Sequence, residues 1–312
     1  MQASHPFRLA PYFRTRIWGF HNLSPWFDFK TEGEPIGEVW LTGEMCTAET
    51  GPLEGKTLKE ITAANGEALL GKGHAAEEFP LLIKILFPKE KLSVQVHPDD
   101  AMAQKYGEPR GKTECWYALD AKPGTEVALG IKPGTTPEEV RTAIVESRLE
   151  DLLTLLPVNK GDMIFVDAGT VHAVGPGAVL LETQQTSDLT YRMYDYGRPR
   201  ELHLDKSMEA MRLTTGAGKI APKNVNAHSV LIDQKYFRVE RWATLLPSAG
   251  NAFADVVQML FVAEGKATIE GTGFEPFDVD RCQIAVIPAG AKDWTIKAHG
   301  VAEVMRILPQ SA

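Results

Sequence analysis

The segment KLSVQVHPDD, residues 91–100, alternates apolar residues with the polar residues Ser93, Gln95 and His97. This alternation has the two-residue period of a half-buried strand. The polar face of such a strand usually carries charged side chains that reach water, whereas this one carries a hydroxyl, an amide and an imidazole. The segment therefore predicts a strand, and it raises the question of whether Gln95 and His97 point at a functional site. If they do, Leu92, Val94 and Val96 on the other face would pack against an outer layer.

Strand patterns continue through most of the chain. They are predicted at residues 79–87, 91–97, 114–120, 125–131, 162–168, 178–185 and 189–196, and they resume towards residue 312. Turns rich in proline and glycine separate them, as in the KPGT segments at 122–125 and 132–135. Many short strands joined by such turns are typical of a β-sandwich or barrel.

Three segments predict helices inserted between these strands. Residues 135–157 form the strongest pattern, with Thr136 as a candidate N-cap and a proline in the first turn. Weaker helical patterns lie at 57–71 and 202–216, and the segment PKNVNA at 222–227 predicts a linker.

A weak internal repeat links the two halves of the chain. GDMIFVDAGTVH (161–172) aligns with CQIAVIPAGAKD (282–293), and ECWYAL (114–119) resembles QMLFVA (258–263). The repeat predicts a duplicated β-barrel unit, although any two strand–turn–strand units share part of this likeness.

The composition excludes several classes of protein. The chain has 312 residues, of which 44% are hydrophobic, and a formal net charge of −8, which argues against binding to nucleic acid or to an anionic membrane surface. Neither a signal peptide nor an apolar stretch long enough to span a membrane is evident. The three cysteines are far apart in the sequence, so a disulfide framework is not expected. We expect a cytoplasmic protein that is a monomer or a weak homo-oligomer.

Four residues form a candidate metal site. Gln95 and His97 share one strand face, Glu114 opens a later strand, and His172 lies in a Gly-rich turn. Together they offer an amide, two imidazoles and a carboxylate, which suits a divalent metal of borderline hardness. Taken singly, each has an ordinary explanation, such as an ion pair between Glu114 and Lys112.

The second half of the repeat differs at the matching positions. In the repeat alignment Gln258 replaces Glu114, and Asp293 replaces His172. We therefore predict that the second unit binds no metal and packs against the first to complete the fold.

These motifs carry a family resemblance. The segment 161–172 resembles the second cupin motif, with Asp167 where proline is usual, and Gln95-x-His97 followed by Glu114 resembles the first cupin motif with its leading histidine replaced. Together with these motifs, further segments make the chain similar to type I mannose-6-phosphate isomerases in their short bacterial form: PLLIKIL (80–86), GKTECWY (111–117) and ETQQTSDLTYRMYDYGR (182–198). The resemblance covers residues 15–215, and the remainder fits the family by position and pattern.

The resemblance implies a fold, a cofactor and a reaction. The fold would be mainly β, with duplicated cupin-type (jelly-roll) β-barrels and helical insertions, divided into a catalytic domain at 1–221 and a C-terminal domain at 222–312. The reaction would interconvert mannose 6-phosphate and fructose 6-phosphate through a cis-enediol. One Zn²⁺ per chain would be held by Gln95, His97, Glu114 and His172.

The resemblance also implies catalytic and substrate-binding residues. Arg192, Lys112 and Glu182 would be catalytic, and Lys112, Arg192 and Asp188 would contact the sugar phosphate. Arg192 suits either enediolate stabilisation or phosphate binding, and either Glu182 or a zinc-bound hydroxide could be the base.

Two other functions remain open from the sequence. A different metal-dependent cupin enzyme, such as an iron dioxygenase, usually uses histidines and one carboxylate, and Gln95 argues against it. A sugar-binding cupin without turnover would bind the same sugar phosphate.

Overall fold

The structure is a computed structural model, which describes residues 3–73, 78–226, 228–243 and 255–310. Within these ranges, no helix is long and apolar enough to cross a membrane.

Strands dominate the described residues. The strands are β1 Phe7–Leu9, β2 Tyr12–Phe20, β3 Ile36–Trp40, β4 Leu81–Leu86, β5 Val94–Val96, β6 Glu114–Ala121, β7 Glu126–Ile131, β8 Leu153–Pro157, β9 Met163–Val166, β10 His172–Val174, β11 Ala178–Gln185, β12 Tyr191–Tyr194, β13 Gly218–Ile220, β14 Lys223–Val225, β15 His228–Asp233, β16 Phe237–Ala243, β17 Gln258–Glu264, β18 Lys266–Gly271, β19 Phe277–Asp280, β20 Ile284–Ile287, β21 Trp294–Ala298 and β22 Glu303–Pro309. The α-helices are α1 Leu58–Asn65, α2 Glu67–Leu70, α3 Asp100–Lys105, α4 Pro137–Val145 and α5 Leu204–Ala210, and short 3-10 helices occupy Gly51–Leu53 and Leu149–Leu152.

Two antiparallel sheets face each other in the first unit. In the described part of the chain, one sheet has the order β13-β9-β6-β11-β4-β3-β2 and the other has the order β12-β5-β10-β7-β8. Apolar side chains from both sheets, including Trp116, Ile164 and Leu129, pack between their inner faces. The sandwich therefore has a closed apolar part, beside which polar inner-face residues can be held rigidly.

The outer faces of this sandwich are also covered. The outer face of the β6–β11–β4 sheet, with Ile83 and Ile85, packs against Phe237 and Ile307 of the second unit. The outer face of the other sheet packs against α4 and α5, where Val94 and Val96 lie in the same apolar cluster as Val140. Burial on both faces explains why these strands are more apolar than simple alternation requires.

The second unit repeats this arrangement. Its larger sheet has the order β1-β20-β17-β22-β16-β15-β14, and β19-β18-β21 covers it from the other side of a second apolar core. In the first unit Glu114 of β6 lies opposite Val166 of β9, and in the second unit Gln258 of β17 lies opposite Ile287 of β20. The register is the one that the sequence repeat predicts. The predicted mainly β fold with duplicated barrels and helical insertions is confirmed.

The N-terminal strand crosses between the two units. Phe7–Leu9 pairs with Ile284–Val286 in the larger sheet of the second unit. At the other junction, β13 joins the first unit and β14 joins the second. The division into domains at 1–221 and 222–312 stays a prediction.

Three local predictions were wrong. The helix predicted at 135–157 ends at Val145, because Ser147 adopts a left-handed backbone with φ 57° and residues 153–157 pair with β7 as a strand. The linker predicted at 222–227 contains the strand Lys223–Val225, while residue 227 lies outside the described residues. Leu92, expected to pack outward with Val94 and Val96, lies in the inner apolar cluster instead, and it precedes the first residue of β5.

The shared core predicts that the two units unfold together. Phe237 is fully buried in the cluster that joins the larger sheets of the two units. Replacing it with alanine leaves a cavity there, so we expect Phe237→Ala to lower the free energy of unfolding by about 3–5 kcal/mol. Urea unfolding followed by circular dichroism measures this loss. Leu155→Ala is the control, because Leu155 is 58% exposed and its truncation should change stability by less than about 0.5 kcal/mol. Separate transitions for the two units in Phe237→Ala would contradict the coupling.

Candidate active site

One cross-strand row brings three of the predicted site residues together. Gln95 on β5 lies opposite His172 on β10 and opposite Arg192 on β12. Side chains directly opposite each other on neighbouring strands share one face of the sheet. The sequence therefore positions an amide, an imidazole and a guanidinium side by side, and His97 follows at the end of β5.

Glu114 reaches the same point from the opposite sheet. Its Oε2 is 3.6 Å from His97 Nε2, and its Oε1 is 3.5 Å from His172 Nε2. One ligand atom from each of these three residues lies within 4.8 Å of the others, and each residue is 1% exposed. The strand order, rather than proximity in the sequence, assembles this cluster.

The two imidazoles are held with their Nε2 atoms towards the cluster. His97 Nδ1 is 2.6 Å from the carbonyl oxygen of Leu189, and His172 Nδ1 is 2.9 Å from that of Thr170. A carbonyl only accepts, so each Nδ1 carries the proton and each Nε2 keeps a lone pair. Burial, helped by the Lys112 ammonium, lowers the pKa of His97 well below its usual range. Burial also lowers the pKa of His172 to about 4, so both rings stay neutral at pH 7.

The Gln95 amide completes the donor set. Its Nε2 is 3.2 Å from His172 Nε2 and 3.5 Å from His97 Nε2, and Ser93 Oγ donates to its Oε1 over 3.3 Å. A half-turn of an amide group exchanges its nitrogen and oxygen within nearly the same volume. Two neutral imidazoles, a carboxylate and an amide oxygen form a set that fits a divalent metal ion such as zinc.

Lys112 and Glu182 lie directly against this cluster. The Lys112 ammonium is 2.6 Å from Glu114 Oε2, 3.0 Å from His97 Nε2 and 3.4 Å from Glu182 Oε1. Burial opposes the charge on this ammonium, but the carboxylates of Glu114 and Glu182 raise the pKa of Lys112 above its usual value. Lys112 therefore stays protonated between the cluster and Glu182.

The ionic contacts continue away from the cluster along the same sheet. Lys84 Nζ is 3.2 Å from Glu182 Oε1 and 3.8 Å from Glu38 Oε2. Arg16 donates to both carboxylate oxygens of Glu38 over 2.8 Å and 3.0 Å, and the indole of Trp40 donates to Oε2 over 2.7 Å. Burial opposes the charge on Glu38, but Lys84 and Arg16 together lower its pKa to about 2.

A cavity of about 330 Å³ opens beside the cluster and is bordered by Gln95 and Lys112, which contact the cluster. Five predicted site residues border it, namely Gln95, Lys112, Glu182, Asp188 and Arg192. The cavity also meets residues that the sequence did not single out, namely Arg16, Trp18, Glu38, Lys84, Leu86, Leu92, Ser93, Thr190 and Arg200. The predicted residues are thus brought together, and their individual roles stay predictions.

Two strand sequences contain a pattern that indicates cavity residues not predicted from the sequence. Lys84 is the one charged residue of LLIKIL, and Glu38 is the one charged residue of IGEVW. Lysine and glutamate are rarely fully buried unless they are paired. A charge in the middle of an apolar strand therefore indicates an inner-face ion pair, and these two strands lie next to each other in the sheet.

Comparisons with known proteins agree with this geometry. Residues 7–136 match the family described as phosphomannose isomerase type I, catalytic domain. The chain is 34% identical to the putative mannose-6-phosphate isomerase YvyI of Bacillus subtilis (strain 168), over 94% of this chain and 96% of that protein.

Solved structures extend the likeness to both units. The crystal structure of the mannose 6-phosphate isomerase from Bacillus subtilis matches with a TM-score of 0.86 and 32% identity, covering 97% of this chain and 99% of that one. A zinc-bound mannose 6-phosphate isomerase matches with a TM-score of 0.81 and 17% identity, over 98% of this chain and 100% of that one, and so shares the fold. Because the sequence match covers nearly the whole of both chains, this protein belongs to the family of type I mannose-6-phosphate isomerases.

Proposed function

We propose that the chain is a zinc-dependent aldose–ketose isomerase that interconverts mannose 6-phosphate and fructose 6-phosphate through a cis-enediol. The observation that carries this proposal is a cavity bordered by Glu182, Lys112 and Gln95, of which Lys112 and Gln95 contact the His97–Glu114–His172 cluster. Family membership supports the two sugar phosphates as substrates. The cavity volume of about 330 Å³ is that of a small-molecule site.

One zinc ion per chain would be held by His97, Glu114 and His172, with the Gln95 amide oxygen as the fourth protein ligand. When bound, the ion supplies a fixed positive charge that stabilises the negative charge developing on the sugar oxygens. The chain contributes the dry surroundings that strengthen this effect, since three of the four ligands are 1% exposed.

Glu182 is the residue that we assign as the base. Burial raises the pKa of Glu182, and so does the neighbouring Glu114, against the effect of Lys84 and Lys112. A carboxylate tuned upwards in this way accepts a proton from carbon more readily than an exposed one. It borders the cavity, so a bound sugar can reach it.

The proton steps then balance within the sugar and one carboxylate. Glu182 takes the proton from C2 of the open-chain aldose, a double bond forms between C1 and C2, and the electron pair of the carbonyl moves to O1. Glu182 then delivers a proton to C1, either the one it took or one exchanged with solvent, and transfer of the hydroxyl proton from O2 to O1 gives the ketose. The Lys112 ammonium, 3.4 Å from Glu182 Oε1, stabilises the carboxylate before the first transfer and after the second, when Glu182 is ionised.

Arg192 and Arg200 border the cavity on the side of β12 and suit the charged end of the substrate. The Arg192 Nη1 donates to the carbonyl of Glu201 over 2.8 Å, while its Nε has no hydrogen-bond partner among the described residues. A guanidinium keeps its charge at every working pH and offers several donors in one plane. We assign Arg192 to the bound sugar phosphate, next to the Gln95 amide.

Loss of one imidazole should remove the metal. We expect His172→Ala to retain less than about 0.1 zinc per chain. The ligands of a metal site act together with the groups that orient them, and the loss of one costs about 10-fold or more in metal affinity. Elemental analysis of protein purified without added metal measures this, and activity should fall with it. His299→Ala is the control, since His299 is exposed and lies in the second unit. Full zinc content in His172→Ala would contradict the ligand assignment.

Loss of the base should stop proton transfer while the metal stays bound. We expect Glu182→Gln to lower kcat by about 10³-fold, within the range by which positioned bases accelerate proton transfer. Zinc content should equal that of the wild type. Incorporation of deuterium at C2 of mannose 6-phosphate, followed by NMR in D₂O, reports the proton step directly. Wild-type rates of exchange in Glu182→Gln would show that another group is the base.

Loss of the Arg192 guanidinium should weaken the reaction without affecting the metal. We expect Arg192→Ala to lower kcat/KM by about 10²-fold or more, because charged hydrogen bonds to a bound anion are lost from a partly buried site. A coupled assay with mannose 6-phosphate measures the loss. Arg141→Ala on helix α4 is the control, since its ion pair with Asp205 is largely exposed. An unchanged kcat/KM in Arg192→Ala would remove this residue from the site.

A further inference from the structure

The ionic contacts of the inner face end in a pair that the proposed chemistry does not use. Arg16 on β2 donates to both carboxylate oxygens of Glu38 on β3, and neither residue belongs to the His97–Glu114–His172 cluster. Glu38 is 6% exposed, and its Oε2 also receives the Trp40 indole. A buried carboxylate held in this way, near the proposed base rather than at the metal site, could have a role in the reaction.

Lys84 is shared between two carboxylates. Its ammonium is 3.2 Å from Glu182 Oε1 and 3.8 Å from Glu38 Oε2, and the residue is 4% exposed. A buried ammonium divides its attraction between the anions that face it. If the charge of Glu38 were lost, the whole attraction of Lys84 would fall on Glu182.

We infer that Glu38, held by Arg16, is a positioning residue that keeps the Lys84 ammonium between itself and Glu182 and so leaves the Glu182 carboxylate free to accept a proton from the sugar. This inference rests on the proposed function, since it needs Glu182 to be the base. Glu38 acts through Lys84 and touches no reacting atom.

The charges around Glu182 give this role a definite sign. The charged and titratable groups that face Glu182 from the surrounding elements are Lys84 on β4, Glu38 on β3, Glu114 on β6, Lys112 on the segment before β6 and His172 on β10. Arg16, Asp188, Arg192 and Arg200 border the same cavity. After burial and Glu114, the Glu38 carboxylate also raises the pKa of Glu182, whereas Lys84 and Lys112 lower it. Removing the negative charge of Glu38 should therefore make Glu182 a weaker base, and removing the positive charge of Arg16 should make it a stronger one.

The test compares kcat as a function of pH in Glu38→Gln, Arg16→Gln and the double variant. Glu38→Gln should move the acidic limb of the profile down by about one pH unit and lower the plateau kcat by about fivefold, because a weaker base abstracts the proton more slowly. Arg16→Gln should move the acidic limb in the opposite direction. The double variant removes one charge of each sign, so its limb should return to the wild-type position. KM for mannose 6-phosphate should stay within about twofold of the wild type in all three.

Matched measurements separate this role from a structural one. Glu49→Gln removes a carboxylate paired with Arg8 at 2.7 Å, outside the cavity, and should leave the pH profile unchanged. Zinc content per chain should be equal in all variants. Should Glu38→Gln fail to fold, the shift in Arg16→Gln alone decides the question, since Arg16 is a quarter exposed.

Three outcomes would overturn the inference. They are acidic limbs that move in the same direction in the two single variants, limbs that do not move, and a Glu38→Gln variant whose loss lies in KM rather than kcat, which would make Glu38 a substrate contact. Absence of turnover in the wild type would instead defeat the proposed function, so the two failures can be told apart.

Discussion

Charge buried between two sheets has to be neutralised within the protein, and this constraint organises the site. Removing an ion from water costs several kcal/mol unless partners of opposite charge compensate it. Along the inner face of the larger sheet, cations and carboxylates alternate from the edge strand to the metal cluster, in the order Arg16, Glu38, Lys84, Glu182, Lys112 and Glu114. The formal charges of this series sum to zero. Each member depends on its neighbours, so a change at one end alters the electrostatics at the other.

The sheets supply the geometry that such a series needs. Trp40, Lys84, Glu182 and Trp116 lie opposite one another on four neighbouring strands, and their side chains therefore share one face. The row of Gln95, His172 and Arg192 lies on the facing sheet. Because strand pairing fixes both rows, the charged groups are held close together without the ordering of any loop. Electrostatic stabilisation in a site of this kind costs little reorganisation when the substrate reacts.

The sequence predicted those parts of the site that local pattern determines. Alternation with an uncharged polar face distinguished Gln95 and His97, and motif spacing added Glu114 and His172. Lys84 and Glu38 were missed because a single charge in an apolar strand has no local partner, and its partner becomes visible only when two strands that are distant in the sequence pair. The helix predicted at 135–157 failed for a similar reason. The apolar residues of Leu153–Pro157 fit the period of a helix as well as that of a strand, and the segment forms a strand because it pairs with β7.

The second unit carries a structural ion pair at the place in the fold where the first unit carries the proposed base. Glu240 and Arg306 lie opposite each other on β16 and β22, the register that Lys84 and Glu182 occupy on β4 and β11, but with the charges exchanged. Arg306 donates to Glu240 through two nitrogens, and Arg238 donates to its other oxygen.

The two carboxylates respond in opposite directions to this difference. Burial opposes the charge on Glu240, but the guanidinium groups of Arg306 and Arg238 lower the pKa of Glu240. Burial and Glu114 raise the pKa of Glu182, although two ammonium groups lie near it. A guanidinium does not give up a proton and holds a carboxylate through several directed hydrogen bonds, which keeps the carboxylate ionised and occupied. Glu182 instead borders a cavity and shares its ammonium partners with other carboxylates. The same position in a duplicated sheet therefore holds a fixed ion pair in the second unit and the proposed base in the first. The difference lies in which of the two strands carries the acid and in how many anions compete for its cation.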